Sequence, residues 1–273
     1  MRAQIFDFVK SACPDAVVPY ADGVAFDVFV PSKSFGIEFN SLYAHSEKFV
    51  PDDYHEKKLA MAREANVKLF NVFEDEWRDK RVTIESMILS RLGLASAKVQ
   101  ARKCELVELG TPDRKKFFSG THIDGDCNST TAFGLVSEGD VVAALSLRRP
   151  FHKKWGEMLE IGRFAIRRDT SVQGALSRLA KAANARTKSM GRTGMLSYVD
   201  LGHGDGHSYE AVGFKLVHET KAKFWWTDFN TRTNRFAIRA DKPNGITQEQ
   251  RAVEAGVVKI WGHGNRVYAV DVE

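Results

Sequence analysis

Apolar and polar residues recur along this chain with two different periods. In residues 2–12, Ile5, Phe6, Phe8, Val9 and Ala12 nearly share one face, which predicts a helix. Residues 24–30 alternate and are rich in branched and aromatic side chains, which predicts a strand. Pro31-Ser32-Lys33-Ser34 predicts a turn, and residues 35–40 a second strand antiparallel to the first. Asp52 and Asp53 predict the cap of a helix running to about Ala65, with Leu59, Met61 and Ala62 as its apolar content. Residues 67–73 predict a third strand, and strand–helix–strand is a crossover unit with parallel strands. Residues 73–77 (FEDEW) read as the end of that strand with a packed Trp77. Residues 83–92 predict a helix that Gly93 ends, and 93–103 the connection between domains.

The second half changes rhythm. Residues 157–166 (EMLEIGRFAI) predict a strand, 172–185 (VQGALSRLAKAANA) a helix with Gly174 near its start, and 195–199 another strand. A glycine-rich loop, LGHGDGHS, precedes YEAVGFKLV, which reads as helix end, glycine turn and strand. From Lys242 the chain reads as a small appendage. It has a helix over 247–255 capped by Thr247 and a hairpin of strands 257–261 and 266–270 around Gly262, His263, Gly264 and Asn265.

Composition narrows the class. The 273 residues allow one large domain or two ordinary ones, and 43% hydrophobic with 27% charged residues is globular composition. Cys13, Cys104 and Cys127 are too few and scattered for a disulfide framework, and no CxxC pair points to structural zinc. No apolar run reaches the roughly 18 residues of a membrane span. The expectation is a soluble, cytoplasmic protein of a reducing compartment, with no membrane partner.

Charge is unevenly placed. Residues 1–97 carry 12 Lys+Arg against 15 Asp+Glu; residues 98–273 carry 28 against 20, a net of +8. Basic clusters at Arg148, Arg149, Lys153, Lys154, Arg167 and Arg168 suit a polyanion, because each phosphate contact releases counterions.

The candidate chemistry of the first half lies on its first two strands. Asp27 (AFDVFVP) and Glu38 (GIEFN) are acids embedded in apolar strands, and across a hairpin they can converge. Two carboxylates with the Phe39 carbonyl offer a hard divalent cation its oxygen ligands. Asn40 projects to the same face as Glu38. His45 and His55 follow as candidate general acids or bases, and Lys57 and Lys58 as candidate phosphate contacts.

The run AFDVFVPSKSFGIEFNSLYAHSEKF, then YHEKK and VKLFNVFEDEW, resembles phage-encoded, homing-type endonucleases related to the very-short-patch-repair (Vsr) nucleases of the PD-(D/E)xK superfamily. The resemblance implies a mixed sheet with flanking helices over residues 1–97, and Mg2+- or Mn2+-dependent cleavage of DNA. Asp27 and Glu38 would be metal ligands, with His45 and His55 assisting proton transfer. Asn40 stands where the superfamily has lysine. A phage origin would make the compartment the host cytoplasm.

The ordered runs KCELVEL, EIGRFAI, VQGALSRLAKAA and LSYVD, with Tyr-x-x-x-Gly-Phe, resemble a GNAT-like α+β domain and the phage Mom DNA-modification proteins. That implies a second domain over 98–240, with 241–273 appended. Aligned on Gly174, Ser171 and Leu176 stand where the acyl-CoA loop has Arg/Gln and Gly/Ala. The expectation is therefore no cofactor-binding residues, and a DNA-docking role for Arg163, Arg167, Arg168 and Arg178. His203, Asp205 and His207 read as structural or DNA-contacting, and Trp225 and Trp226 as a core strand. The leading expectation is a DNA endonuclease, monomeric or homodimeric. The alternatives are a Mom-like base-modifying enzyme of acyltransferase fold and a DNA-binding protein with a decayed nuclease centre.

Overall fold

The structure, a computed structural model, describes residues 1–18, 20–21 and 24–272. Its first elements are α1 (Arg2–Ala12), β1 (Tyr20–Ala21), β2 (Val24–Ala25), β3 (Val28–Val30), β4 (Phe35–Asn40), α2 (Tyr54–Glu64), β5 (Lys68–Phe73) and α3 (Glu74–Leu92). Next come β6 (Ala97–Gln100), β7 (Glu105–Glu108), α4 (Thr111–Thr121), β8 (Thr131–Ser137), β9 (Asp140–Arg148), β10 (Met158–Ile166), β11 (Thr170–Gln173), α5 (Ala175–Ser189) and β12 (Gly194–Asp200). The chain continues with α6 (His207–Glu210), β13 (Lys215–Thr220), β14 (Phe224–Thr227), β15 (Arg232–Asn234), α7 (Gln248–Glu254), β16 (Val258–Trp261) and β17 (Asn265–Asp271). The fold is mixed α/β.

Two compact units interleave along the chain. The first takes Met1–Arg81, Asp200–Gly204 and Thr220–Asn265; the second takes Val82–Val199, Asp205–Glu219 and Arg266–Glu273. The expected boundaries at 97/98 and 240/241 instead cut the chain into consecutive blocks.

The first unit is built on a three-stranded sheet, β3-β4-β5, antiparallel then parallel. α2 makes the crossover, burying Leu59 and Ala62 against Phe26, Val67 and Leu69. The strand expected over 24–30 is broken at Phe26 and Asp27. There the Asp27 side chain accepts the Phe39 N–H while its own N–H reaches the Ile37 carbonyl. Residues 74–77 open α3 instead of closing a strand. Three acids at a helix start favour its dipole, and Glu76 reaches back to accept the Phe73 N–H. A second sheet, β15-β14-β16, holds Trp225 and Trp226.

The second unit carries a seven-stranded sheet in the order β13-β17-β12-β10-β9-β8-β7. α5 presents Ala175, Leu176, Leu179, Ala180 and Ala183 at helical spacing to one face of it, the largest core of the unit. Phe117 and Phe118 of α4 pack with Ala144 and Ala165 in a separate cluster. The expected helix over 172–185 starts only at Ala175, because Val172 and Gln173 pair with β6 and Gly174 turns the chain at φ +80°. Thr247 caps α7 with a capping box to Gln250. The expected hairpin over 257–270 does not form. β16 pairs with β14, whereas β17 enters the large sheet between β12 and β13; Gly264, at φ +77°, lies in the turn where the chain changes sheets.

Candidate functional site

In the first unit, β4 and β5 set Glu38 beside Asn71 and Asn40 beside Phe73. α2 supplies His55 and Lys58, and the segment after β16 supplies His263. Glu38 is buried; one oxygen pairs with the Lys58 Nζ and the other has no partner. Burial pushes the Glu38 carboxyl up to about 7, against the pull of Lys58. Asn40 Nδ2 donates to Asn71 Oδ1 at 3.2 Å. His45, His55 and His263 form a row, with ring centres 5.7 Å and 4.6 Å apart. Burial keeps all three neutral, holding His55 down to about 3 and lowering His45 and His263. Arg232 clamps Asp75 and Glu76 beside this row, and against burial the His203 ring, then the Arg232 guanidinium and the Phe73 N–H, hold the Glu76 carboxyl below its usual range.

These residues do not make the expected metal centre. Asp27 gives one oxygen to Arg2 at 2.7 Å and the other to the Phe39 N–H at 2.7 Å. Glu38 gives its own to Lys58. Among the described residues no group of three His, Cys, Asp or Glu side chains is placed to hold a metal ion. Lys57, expected at phosphate, pairs with Asp53 at 2.7 Å. His263, Arg232 and Glu76 join the cluster without having been expected there; they are far in sequence from the two strands that drew attention.

The second unit has a different opening. β10 and β12 run parallel and hydrogen-bonded from Met158↔Gly194 to Ile161↔Ser197, and no further. At Gly162 β10 bulges and continues with β9 alone, through Arg163 to Ile166. Two neighbouring strands therefore part in the middle of a sheet. Glu160, 2% exposed, lies just before the bulge; one oxygen pairs with Arg148 and the other has no partner. Leu159 and Ile161 belong to the α5 face, where Tyr209 bonds Ser197. Burial raises the Tyr209 hydroxyl, so it keeps its proton. Beside α5 lies a cavity of about 430 Å³, lined by Ser177, Lys181, Asn184, Met195, Phe214 and Val270. Leu176 is buried in the core beneath α5, and Ser171 is exposed.

The basic residues divide. Arg163 donates to the Gly125 and Gly162 carbonyls, Arg167 pairs with Asp140, and Arg178 bonds the Ala101 carbonyl. Arg149, Lys153, Lys154 and Arg168 are exposed. Arg148 holds Glu160 and lies under the ring of Phe151, which is 83% exposed. Glu160 escaped the sequence reading although its signal, an acid inside an apolar strand, is the one that singled out Asp27 and Glu38.

No family profile and no curated protein matches the chain. Solved structures do. The ribosomal-protein-S18-alanine N-acetyltransferase from Escherichia coli matches at TM-score 0.39 and 12% identity, covering 62% of this chain and 94% of its own. Aminoglycoside 6'-acetyltransferase type Ii matches at 0.38 and 13%, covering 62% and 97%. A GNAT family acetyltransferase from Elizabethkingia anophelis with acetyl-CoA bound matches at 0.37 and 13%, covering 62% and 97%. The expected Mg2+- or Mn2+-dependent endonuclease is corrected here. The two carboxylates that were to hold the metal are engaged by Arg2, Lys58 and a backbone amide, and among the described residues no group of metal-ligating side chains replaces them. Among the described residues no helix is long and apolar enough to cross a membrane.

Proposed function

We propose that the second unit is an N-acyltransferase of GNAT-like fold, taking its acyl group from a coenzyme A thioester and passing it to an amine carried on a nucleic acid. The observation that carries this reading is the parting of β10 from β12 at Gly162. It bares the edge of residues 163–166 inside the sheet, where an extended, amide-bearing chain such as pantetheine can pair as an added strand. α5 follows β10 after the short strand β11, and its first backbone N–H groups make an anion site suited to a pyrophosphate. A cavity of about 430 Å³, with Lys181 as its cation, gives room for the nucleotide part.

When bound, the thioester supplies an activated acyl carbonyl. The protein supplies the proton transfers. The unpartnered Oε2 of Glu160 takes a proton from an amine brought to its face of the sheet. The carbon–sulfur bond would break as the carbon–nitrogen bond forms, and Tyr209, protonated and fixed by Ser197 on the α5 face opposite Glu160, would supply the proton of the leaving thiol through the gap between β10 and β12. The loop between β9 and β10 supports a nucleic-acid acceptor: Arg149, Lys153 and Lys154 offer charge, and Phe151 offers an exposed ring on which a base can stack.

The test uses the full chain. Calorimetry with coenzyme A should register binding, and labelled acetyl-CoA with single-stranded DNA or RNA should place label on the nucleic acid. Absence of coenzyme A binding overturns the reading. Binding with label passing only to small amines removes the nucleic-acid acceptor.

A further inference from the structure

β13 closes one edge of the seven-stranded sheet. β17 lies on its inner side and, among the described residues, no strand lies on its outer side. Proteins usually blunt such an edge with proline, a bulge or charged side chains. β13 reads KLVHET: it has no proline, and its charged residues, Lys215 and Glu219, are of opposite sign, so they do not repel a second copy in every register. Leu216 and Val217, on opposite faces of the strand, are 44% and 47% exposed. The other edge of the sheet is protected: pairing β7 with a second β7 along its full length sets Glu105 against Glu108.

Antiparallel pairing of β13 with itself about a twofold centred on Val217 gives the opposite result. Lys215 then faces Glu219 of the second copy, Leu216 faces His218, and Val217 faces Val217. Symmetry makes each unlike pair occur twice. Glu219 receives Arg266 Nε at 2.7 Å. A register centred between Val217 and His218 loses both ion pairs and sets Leu216 against Glu219, so the charges select the first.

We propose that β13 is a self-association surface, on which two copies of this chain join their large sheets edge to edge in the Val217-centred register. The interface is one short strand from each copy, so the dimer is weak and depends on concentration. This inference is independent of the acyl-transfer reading.

Light scattering or sedimentation of the full chain, up to a few hundred micromolar, should show the mass rising from one chain to two. Lys215→Glu should raise the dissociation constant roughly tenfold, because two attractive pairs become repulsive. Lys215→Glu with Glu219→Lys should restore association, and Val217→Lys should abolish it. Circular dichroism of each variant checks that it is folded. A single-chain mass at every concentration overturns the proposal, as does a dimer insensitive to Lys215→Glu or one the double variant fails to restore.

Discussion

Arg148 Nε donates to Glu160 Oε1 at 3.0 Å across β9 and β10, while the same guanidinium lies 4.2 Å from the centre of the Phe151 ring. One side chain thus ties a buried acid to an exposed aromatic. Removing Arg148 leaves Glu160 buried and uncompensated, which costs about 3–5 kcal/mol. Arg148→Ala should therefore lower the urea midpoint strongly, and Arg148→Ala with Glu160→Ala by less than the sum of the single variants. Strict additivity would mean that the pair is not coupled.

Tyr209→Phe removes only the hydroxyl that bonds Ser197, in a side chain stacked on Tyr268. Acyl transfer should slow by about 10²-fold with coenzyme A affinity little changed, as for loss of a proton donor. Equal losses in turnover and affinity would place Tyr209 in packing or donor binding.

Gly162 sits at the bulge with no room beside it. A Cβ there would lie 2.8 Å from Cys127 Sγ and 3.1 Å from Arg148 Cδ. Gly162→Ala should destabilise by about 1–3 kcal/mol and weaken coenzyme A binding as the strands shift. Thermal unfolding and calorimetry read the two effects separately. A stable variant with full affinity would show that the bulge does not set the opening.

The buried groups of the first unit titrate in opposite senses. Glu38, raised to about 7 from 4.5, contributes stability that is full below its unfolded value and lost as pH rises to about 7. His55, held at about 3 against 6.5, contributes stability that is present above 6.5 and lost as pH falls towards 3. Between about 4.5 and 6.5 the two slopes oppose, and below 4.5 the histidine loss is no longer offset. Glu38→Gln removes the offset, so its urea midpoint should already decline below pH 6.5, where the native chain stays flatter. Superimposable pH profiles, followed by tryptophan fluorescence, would contradict the assignment.

Local pattern was legible where local forces decide. The apolar face of α1, the Thr247 cap and the parallel pairing of β4 with β5 through α2 follow from spacing and turn chemistry. The destination of β17 was not legible. Its alternation predicts a strand, but nothing in Asn265 to Asp271 names β12 and β13 as neighbours, and the glycines before it read equally well as a hairpin turn. The acids misled for a related reason. Asp27 and Glu38 look like metal ligands until the partners that consume their oxygens are known; Arg2 is 25 residues upstream of one and Lys58 is 20 downstream of the other. In Glu160 the same pattern passed unnoticed.

β17 reaches its place between β12 and β13 only after the whole of β14 to β16 has been made. During synthesis β12 and β13 therefore emerge as two unpartnered edges and wait for a strand that is translated last among the sheet's members. A nascent chain in that interval exposes the apolar residues of β13 together with the slot that β17 will fill. Its hazard is the capture of a wrong strand, from its own chain or a neighbouring one. Genetic exchange meets the same wiring: a crossover placed between residues 97 and 98 would cut β6 after its first residue and part residues 1–81 of the first unit from the segments 200–204 and 220–265 that complete it.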